Sequence, residues 1–168
     1  MSMMWRQSVS AGEIDILLVE DSLMEANLTL YLLRQITLAN RTHVARDGEE
    51  ALEYLFGRRA NSDRVPECRV KLILLDLKLP KLDGLEVLRA IKNGQQTKVI
   101  PVVILTSSRE EKDVMNCYDL GANSYVQKPV DFDQSREVIQ QLCLYWLRVN
   151  QPPPSQRSRQ NSGGVPDE

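Results

Sequence analysis

Short runs of Val, Ile and Leu alternate along the chain with segments whose apolar residues recur every three or four positions. The runs cover residues 14–19, 42–45, 71–75, 102–105 and 123–126, and three of them are almost wholly apolar, as strands covered on both faces must be. Between them lies helix periodicity. Leu28, Leu32 and Ile36 fall at i, i+4 and i+8, Ala51, Leu52, Leu55 and Phe56 follow Asp47-Gly48, and Leu85, Leu88 and Ile91 repeat every three residues. Residues 110–120 supply a fourth helix, and 131–149 a fifth, with Val138, Leu142, Tyr145 and Val149 on one face. Strand–helix alternation repeated five times with short links predicts the α/β class. The expected architecture is a doubly wound, five-stranded parallel sheet with five covering helices, because parallel strands need right-handed crossovers.

Residues 58–69 mix Arg, Asn, Ser, Asp and Pro and read as a surface loop. Pro152, Pro153 and Pro154 stop the last helix, and the Ser, Gln, Arg and Gly that follow predict a disordered tail over 150–168. With a flexible segment at 1–13, the folded unit is expected at 14–149. A chain of 168 residues has room for one such domain. No apolar stretch is long enough for a membrane span, and no signal-peptide run precedes Ile14, so a soluble, cytoplasmic protein is expected. The net charge of −2 lacks the basic excess of a nucleic-acid-binding domain, so neither nucleic acid nor membrane is an expected partner. Cys68, Cys117 and Cys143 show no CxxC spacing and read as buried or idle thiols. His43, with no second His or Cys nearby, is expected simply to pack.

In an open parallel sheet, ligands bind beyond the carboxyl ends of the strands. Those ends read Glu20-Asp21, Asp76, Thr106 and Lys128-Pro129, so carboxylates, a hydroxyl and an ammonium should meet at one edge. Taken alone, Glu20-Asp21 could equally cap the following helix. Taken together, three crowded carboxylates repel, and a hard divalent cation such as Mg²⁺ relieves that repulsion. The same carboxylates would reject a phosphate-bearing cofactor. Asp76 is placed to attack a phosphoryl group, Lys128 to offset its charge, and Thr106 to donate to it.

Leu18-Val19-Glu20-Asp21-Ser22, Leu75-Asp76-Leu77-Lys78-Leu79-Pro80, Asp83-Gly84, Leu105-Thr106-Ser107 and Lys128-Pro129 together resemble the receiver domains of two-component response regulators. That resemblance runs from about residue 14 to 149 and implies a flavodoxin-like sheet of strand order 2-1-3-4-5. It implies that Asp76 accepts phosphate from a histidine kinase and that Mg²⁺ is held by Glu20, Asp21, Asp76 and the backbone carbonyl of Lys78. It also implies that Thr106 and Lys128 read the phosphoryl group, that Thr106 and Tyr125 form a switch, and that the Lys128–Pro129 bond is cis. Kinase-specificity positions would fall around Leu23 to Leu33. Glu20 stands where the family more often has Asp, and Lys78 occupies a variable position, either overlooking the phosphoryl group or remaining solvated. Tyr125 could also be ordinary strand packing.

Leu142, Leu144, Tyr145, Trp146 and Leu147 bring more apolar bulk to the last helix than one sheet-facing stripe buries. This points to an interface centred on Tyr145 and Trp146, with core packing as the alternative for part of it. The Tyr145-Trp146-Leu147 ending, with Gly121-Ala122-Asn123-Ser124-Tyr125 before Lys128-Pro129, resembles single-domain regulators paired with phytochrome-type histidine kinases. A homodimer through the fourth helix, fifth strand and fifth helix follows as an expectation, with output through protein partners. Two other readings compete. A phosphatase of the haloacid dehalogenase type would need a second Asp where Lys78 stands, and a receiver-like adaptor that is never phosphorylated would be expected to lack one of the site residues.

Overall fold

In the computed structural model, the residues described are 16–36, 42–57 and 70–153. They form β1 (Ile16–Val19), α1 (Leu23–Gln35), β2 (Thr42–Ala45), α2 (Gly48–Phe56), β3 (Leu72–Leu75), α3 (Gly84–Asn93), β4 (Val102–Thr106), α4 (Glu111–Asp119), β5 (Ser124–Gln127) and α5 (Phe132–Leu144). A π-helical turn, Tyr145–Val149, extends α5. The sheet is wholly parallel in the order β2-β1-β3-β4-β5, as expected. The expected flexible start at 1–13, the loop at 58–69 and residues 154–168 lie outside the described residues, while 150–153 carry no helix or strand.

Strand alternation divides the interior in two. Leu17, Val19, Ile73, Leu75, Val102 and Ile104 point to one face, where Ala51 and Leu55 of α2, Val87, Leu88 and Ile91 of α3 and Cys117 of α4 cover them. Ile16, Leu18, Leu72, Leu74, Val103 and Leu105 point to the other, covered by Ala26, Leu32 and Leu33 of α1 and Ile139 and Cys143 of α5. β1, β3 and β4 are buried along their whole length, which is why their sequences lack polar alternation.

Two helix faces differ from those the periodicity suggested. In α1 the buried set is Ala26, Thr29, Leu32 and Leu33, and Leu28 is exposed, because the small Ala26 and Thr29 let the helix lie close to the sheet. In α5 the buried residues are Ile139 and Cys143, with Tyr145 and Val149 exposed. The π turn contributes here: the Asn150 N–H reaches back five residues to the Tyr145 carbonyl at 2.7 Å, and both Trp146 and Leu147 pack against the α1/α5 core. Cys117 and Cys143 are buried free thiols, as the sequence suggested, and burial pushes them up to about 11 and about 12 respectively. His43 stacks on Tyr54 with ring centroids 4.0 Å apart.

Candidate functional site

The ends of β1, β3 and β5 are each extended by one further ladder bond, and these bonds aim the site. The Glu20 N–H donates to the Ala45 carbonyl at 3.0 Å, Asp76 N–H to the Val19 carbonyl at 3.1 Å, and Lys128 N–H to the Thr106 carbonyl at 2.7 Å. Alternation therefore persists past the strands. Glu20, Asp76 and Lys128 stay in phase with Leu18, Leu74 and Val126, on the α1/α5 side, while Thr106 and Tyr125 stay in phase with Ile104 on the α4 side. The site thus has a charged half and a half formed by Thr106 and Tyr125, with Asp76 at the end of the central strand.

In the charged half, the Lys128 ammonium donates to Asp76 at 3.1 Å and also to Glu20 and Glu25. Oxygens of Glu20, Glu25 and Asp76 lie within 4.8 Å of one another. Glu20 is 3% exposed and Asp76 7%, so their charges are taken out of water and must be met locally. Burial, reinforced by the neighbouring Asp76 charge and only partly offset by Lys128, pushes Glu20 up to about 7. Burial works against the charge on Lys128, yet its hydrogen bonds to Glu20 and Glu25 and the field of Asp76 more than compensate, holding it above the ordinary lysine range. The ammonium is permanently charged at physiological pH.

The loop after Asp76 folds back on the carboxylate. Lys78 N–H approaches Asp76 Oδ1 at 3.4 Å while its side chain is exposed, and Gly84 N–H donates to the Leu77 carbonyl at 2.9 Å. A Cβ at Gly84 would come within 2.4 Å of the Asp76 carbonyl oxygen, so only glycine permits this close approach. Lys81, at φ 64°, takes the left-handed conformation that turns the loop, and its ammonium is anchored on Asp47 at 2.8 Å.

On the α4 side, Thr106 is fully buried and its Oγ1 faces the Ser108 N–H at 3.4 Å. Tyr125 is half-buried against the α2/α3/α4 core and donates to the Ser108 carbonyl. Ser108 Oγ in turn donates to Asp113 of α4 at 2.5 Å.

The predicted residues are therefore only partly brought together. Glu20, Asp76 and Lys128 meet, but Asp21, in the exposed bend after Glu20, is outside the group whose oxygens approach within 4.8 Å of one another. The third carboxylate is Glu25, which the sequence reading missed. Its signal was position: third in a helix that begins at the pocket's edge, one turn along from Ser22. Ser108 was likewise missed, because its contacts to Thr106 and Tyr125 run through its backbone N–H and carbonyl, which no side-chain motif reveals. The Lys128–Pro129 bond is trans, all peptide bonds among the described residues being so. Trans is the lower-energy isomer of an X–Pro bond by about 0.5–1 kcal/mol, and Lys128 reaches the pocket without leaving it. Tyr145 is exposed and Trp146 only partly buried, the two rings in edge contact at 4.9 Å.

Residues 16–140 match the family model described as the response regulator receiver domain. The chain is 40% identical to the response regulator Rcp1 of Synechocystis over 136 residues, covering 80% of this chain and 89% of that one. The structure of Rcp1 in its Mn²⁺-bound form superposes with a TM-score of 0.73 at 37% identity, covering 84% and 99% of the two chains. The phosphorylated cyanobacterial phytochrome response regulator RcpA gives 0.76 at 36% identity, with the same coverage. The bacteriophytochrome response regulator AtBRR gives 0.63 at 48% identity, covering 83% of this chain and 99% of that one.

Proposed function

The chain belongs to the response regulator receiver family, and from that premise we propose that it accepts a phosphoryl group on Asp76 from a histidine kinase. One observation carries the reading. Asp76, at the carboxyl end of the central strand, shares a single ammonium, Lys128, with a second buried carboxylate, Glu20. An Asp76 oxygen would form the new P–O bond as the P–N bond of the kinase phosphohistidine breaks, with the imidazole keeping the electron pair and taking up a proton. Lys128 offsets the charge of the transferred group, and the Thr106 hydroxyl donates to one of its oxygens.

Glu20, Asp76, the backbone carbonyl of Lys78 and the exposed Asp21 are hard oxygen donors suited to Mg²⁺. Three carboxylates share one ammonium, and a divalent cation would supply the further positive charge that holds Glu20 ionised beside Asp76. Mg²⁺, when bound, neutralises the oxygens of the group in transfer. The Mn²⁺ in the Rcp1 structure supports a divalent ion here.

The protein serves as a signalling module rather than a turnover enzyme. The relatives' names favour a phytochrome-type kinase as partner. No helix among the described residues is long and apolar enough to cross a membrane. Output through a symmetric dimer or a docked partner is favoured by an apolar groove of about 480 Å³ between β5 and α5, lined by Val126, Val138, Leu142, Tyr145 and Trp146. We take residues 14–149 as the receiver unit, the family model matching residues 16–140 of it.

Incubation with Mg²⁺ and acetyl phosphate, read by intact mass, tests the central claim. One phosphoryl group per chain is expected, and none on Asp76→Asn. Unchanged labelling of that variant overturns the assignment.

A further inference from the structure

Ser22 and Glu25 have the spacing of a capping box, in which the N-cap serine bonds the backbone of the third helical residue and that residue's carboxylate bonds the N-cap N–H in return. Only half of it forms in α1. Ser22 Oγ accepts from Glu25 N–H at 3.3 Å, but the Ser22 N–H is taken by Glu20 Oε1 at 3.0 Å, and the Glu25 carboxylate reaches Lys128 instead. In α3 of the same molecule the reciprocal box is complete: Asp83 Oδ1 accepts from Glu86 N–H at 3.1 Å, and Glu86 Oε2 accepts from Asp83 N–H at 3.1 Å. Glu25 has thus exchanged a local helix cap for a contact 103 positions away in the chain.

The contact sits at a particular place on Lys128. Glu20 and Asp76 hold the ammonium from within the pocket, with side chains 3% and 9% exposed, whereas Glu25, at 41%, holds it from the rim. A divalent cation and the ammonium compete for the oxygens of Glu20 and Asp76, and the two positive charges repel. Glu25 offers the ammonium a carboxylate at the pocket's edge.

We propose that Glu25 is a positioning residue that draws Lys128 toward α1, leaving the Glu20 and Asp76 oxygens to a divalent cation. The inference rests on the metal-binding reading above. It differs from two simpler roles for Glu25. As a direct ligand or a bare negative charge, Glu25 would raise cation affinity whether or not Lys128 were present. As a helix cap, it would affect stability and not cation binding.

A double-mutant cycle separates these roles, with Mg²⁺ binding measured by isothermal titration calorimetry on the full chain. Glu25→Gln is expected to weaken Mg²⁺ binding about fivefold in the native background and less than about twofold beside Lys128→Met, the coupling expected of directly paired residues. Circular dichroism checks folding, and Lys128→Gln repeats the cycle if Lys128→Met unfolds. Equal effects of Glu25→Gln in both backgrounds, whether large, small or nil, overturn the proposal while leaving the metal site standing. A native protein that takes up no Mg²⁺ overturns the metal-site reading, and this inference with it.

Discussion

The Tyr125 hydroxyl donates to the backbone carbonyl of Ser108 at 3.2 Å, tying the side chain of the fifth strand to the loop that follows the fourth. Ser108 meets Thr106 through its N–H and Asp113 of α4 through its hydroxyl, so one residue joins Thr106 and Tyr125 to α4. Tyr125→Phe removes one of these three links and keeps the ring. It should cost about 1 kcal/mol in thermal unfolding, the net worth of one hydrogen bond. Amide exchange between 107 and 114 should quicken, as measured by mass spectrometry. Native exchange rates in that segment would show that the Tyr125 hydroxyl does not hold this loop.

The groove between β5 and α5 predicts self-association or partner docking. Leu144 and Tyr145 are 53% and 49% exposed, whereas Trp146 is partly buried on the core. Tyr145→Ala should therefore weaken a dimer several-fold in sedimentation equilibrium with little change in melting temperature. Trp146→Ala should lower stability by about 2 kcal/mol, below the range for fully buried Trp because its burial is partial. A native protein that stays monomeric, with and without beryllofluoride, and a Tyr145→Ala variant that binds partners normally would remove the interface.

Asp83 carries the complete capping box that starts α3, just beyond the acceptor loop. Asp83→Ala strands the N–H groups of Leu85 and Glu86 and should cost about 1–2 kcal/mol, measured by urea unfolding. Since Gly84 packs on the Asp76 carbonyl, acceptor labelling by acetyl phosphate should slow as well. A loss under about 0.3 kcal/mol would mean that tertiary packing alone holds the helix start.

Burial raises the Cys117 and Cys143 thiols to about 11 and about 12, so the reactive thiolate is scarce at pH 8, about one molecule in a thousand at Cys117. Iodoacetamide at that pH should leave both unmodified in the folded protein and alkylate both in urea, as peptide mass mapping would show. Reactivity should climb only as pH approaches 11. Rapid modification of folded protein at pH 8 would contradict the burial of these side chains.

The alternation of apolar runs with helix periodicity determined the class, the five strands and their helices, because burial on two faces demands apolar strands and one-sided burial demands striped helices. It also placed Glu20, Asp76, Thr106 and Lys128 at one edge, since parallel strands all end on the same side. What the sequence could not decide is phase. Whether Asp21 or Glu25 completes the carboxylate group depends on where the first turn of α1 docks, which is set by packing of α1 on the sheet. The faces of α1 and α5 shifted for the same reason: Leu28 and Tyr145 satisfy a helical stripe in sequence, but the sheet selects Ala26, Ile139 and Cys143 by fit. Ser108 meets Thr106 and Tyr125 through its peptide groups, which every residue possesses, so only the folded chain could single it out.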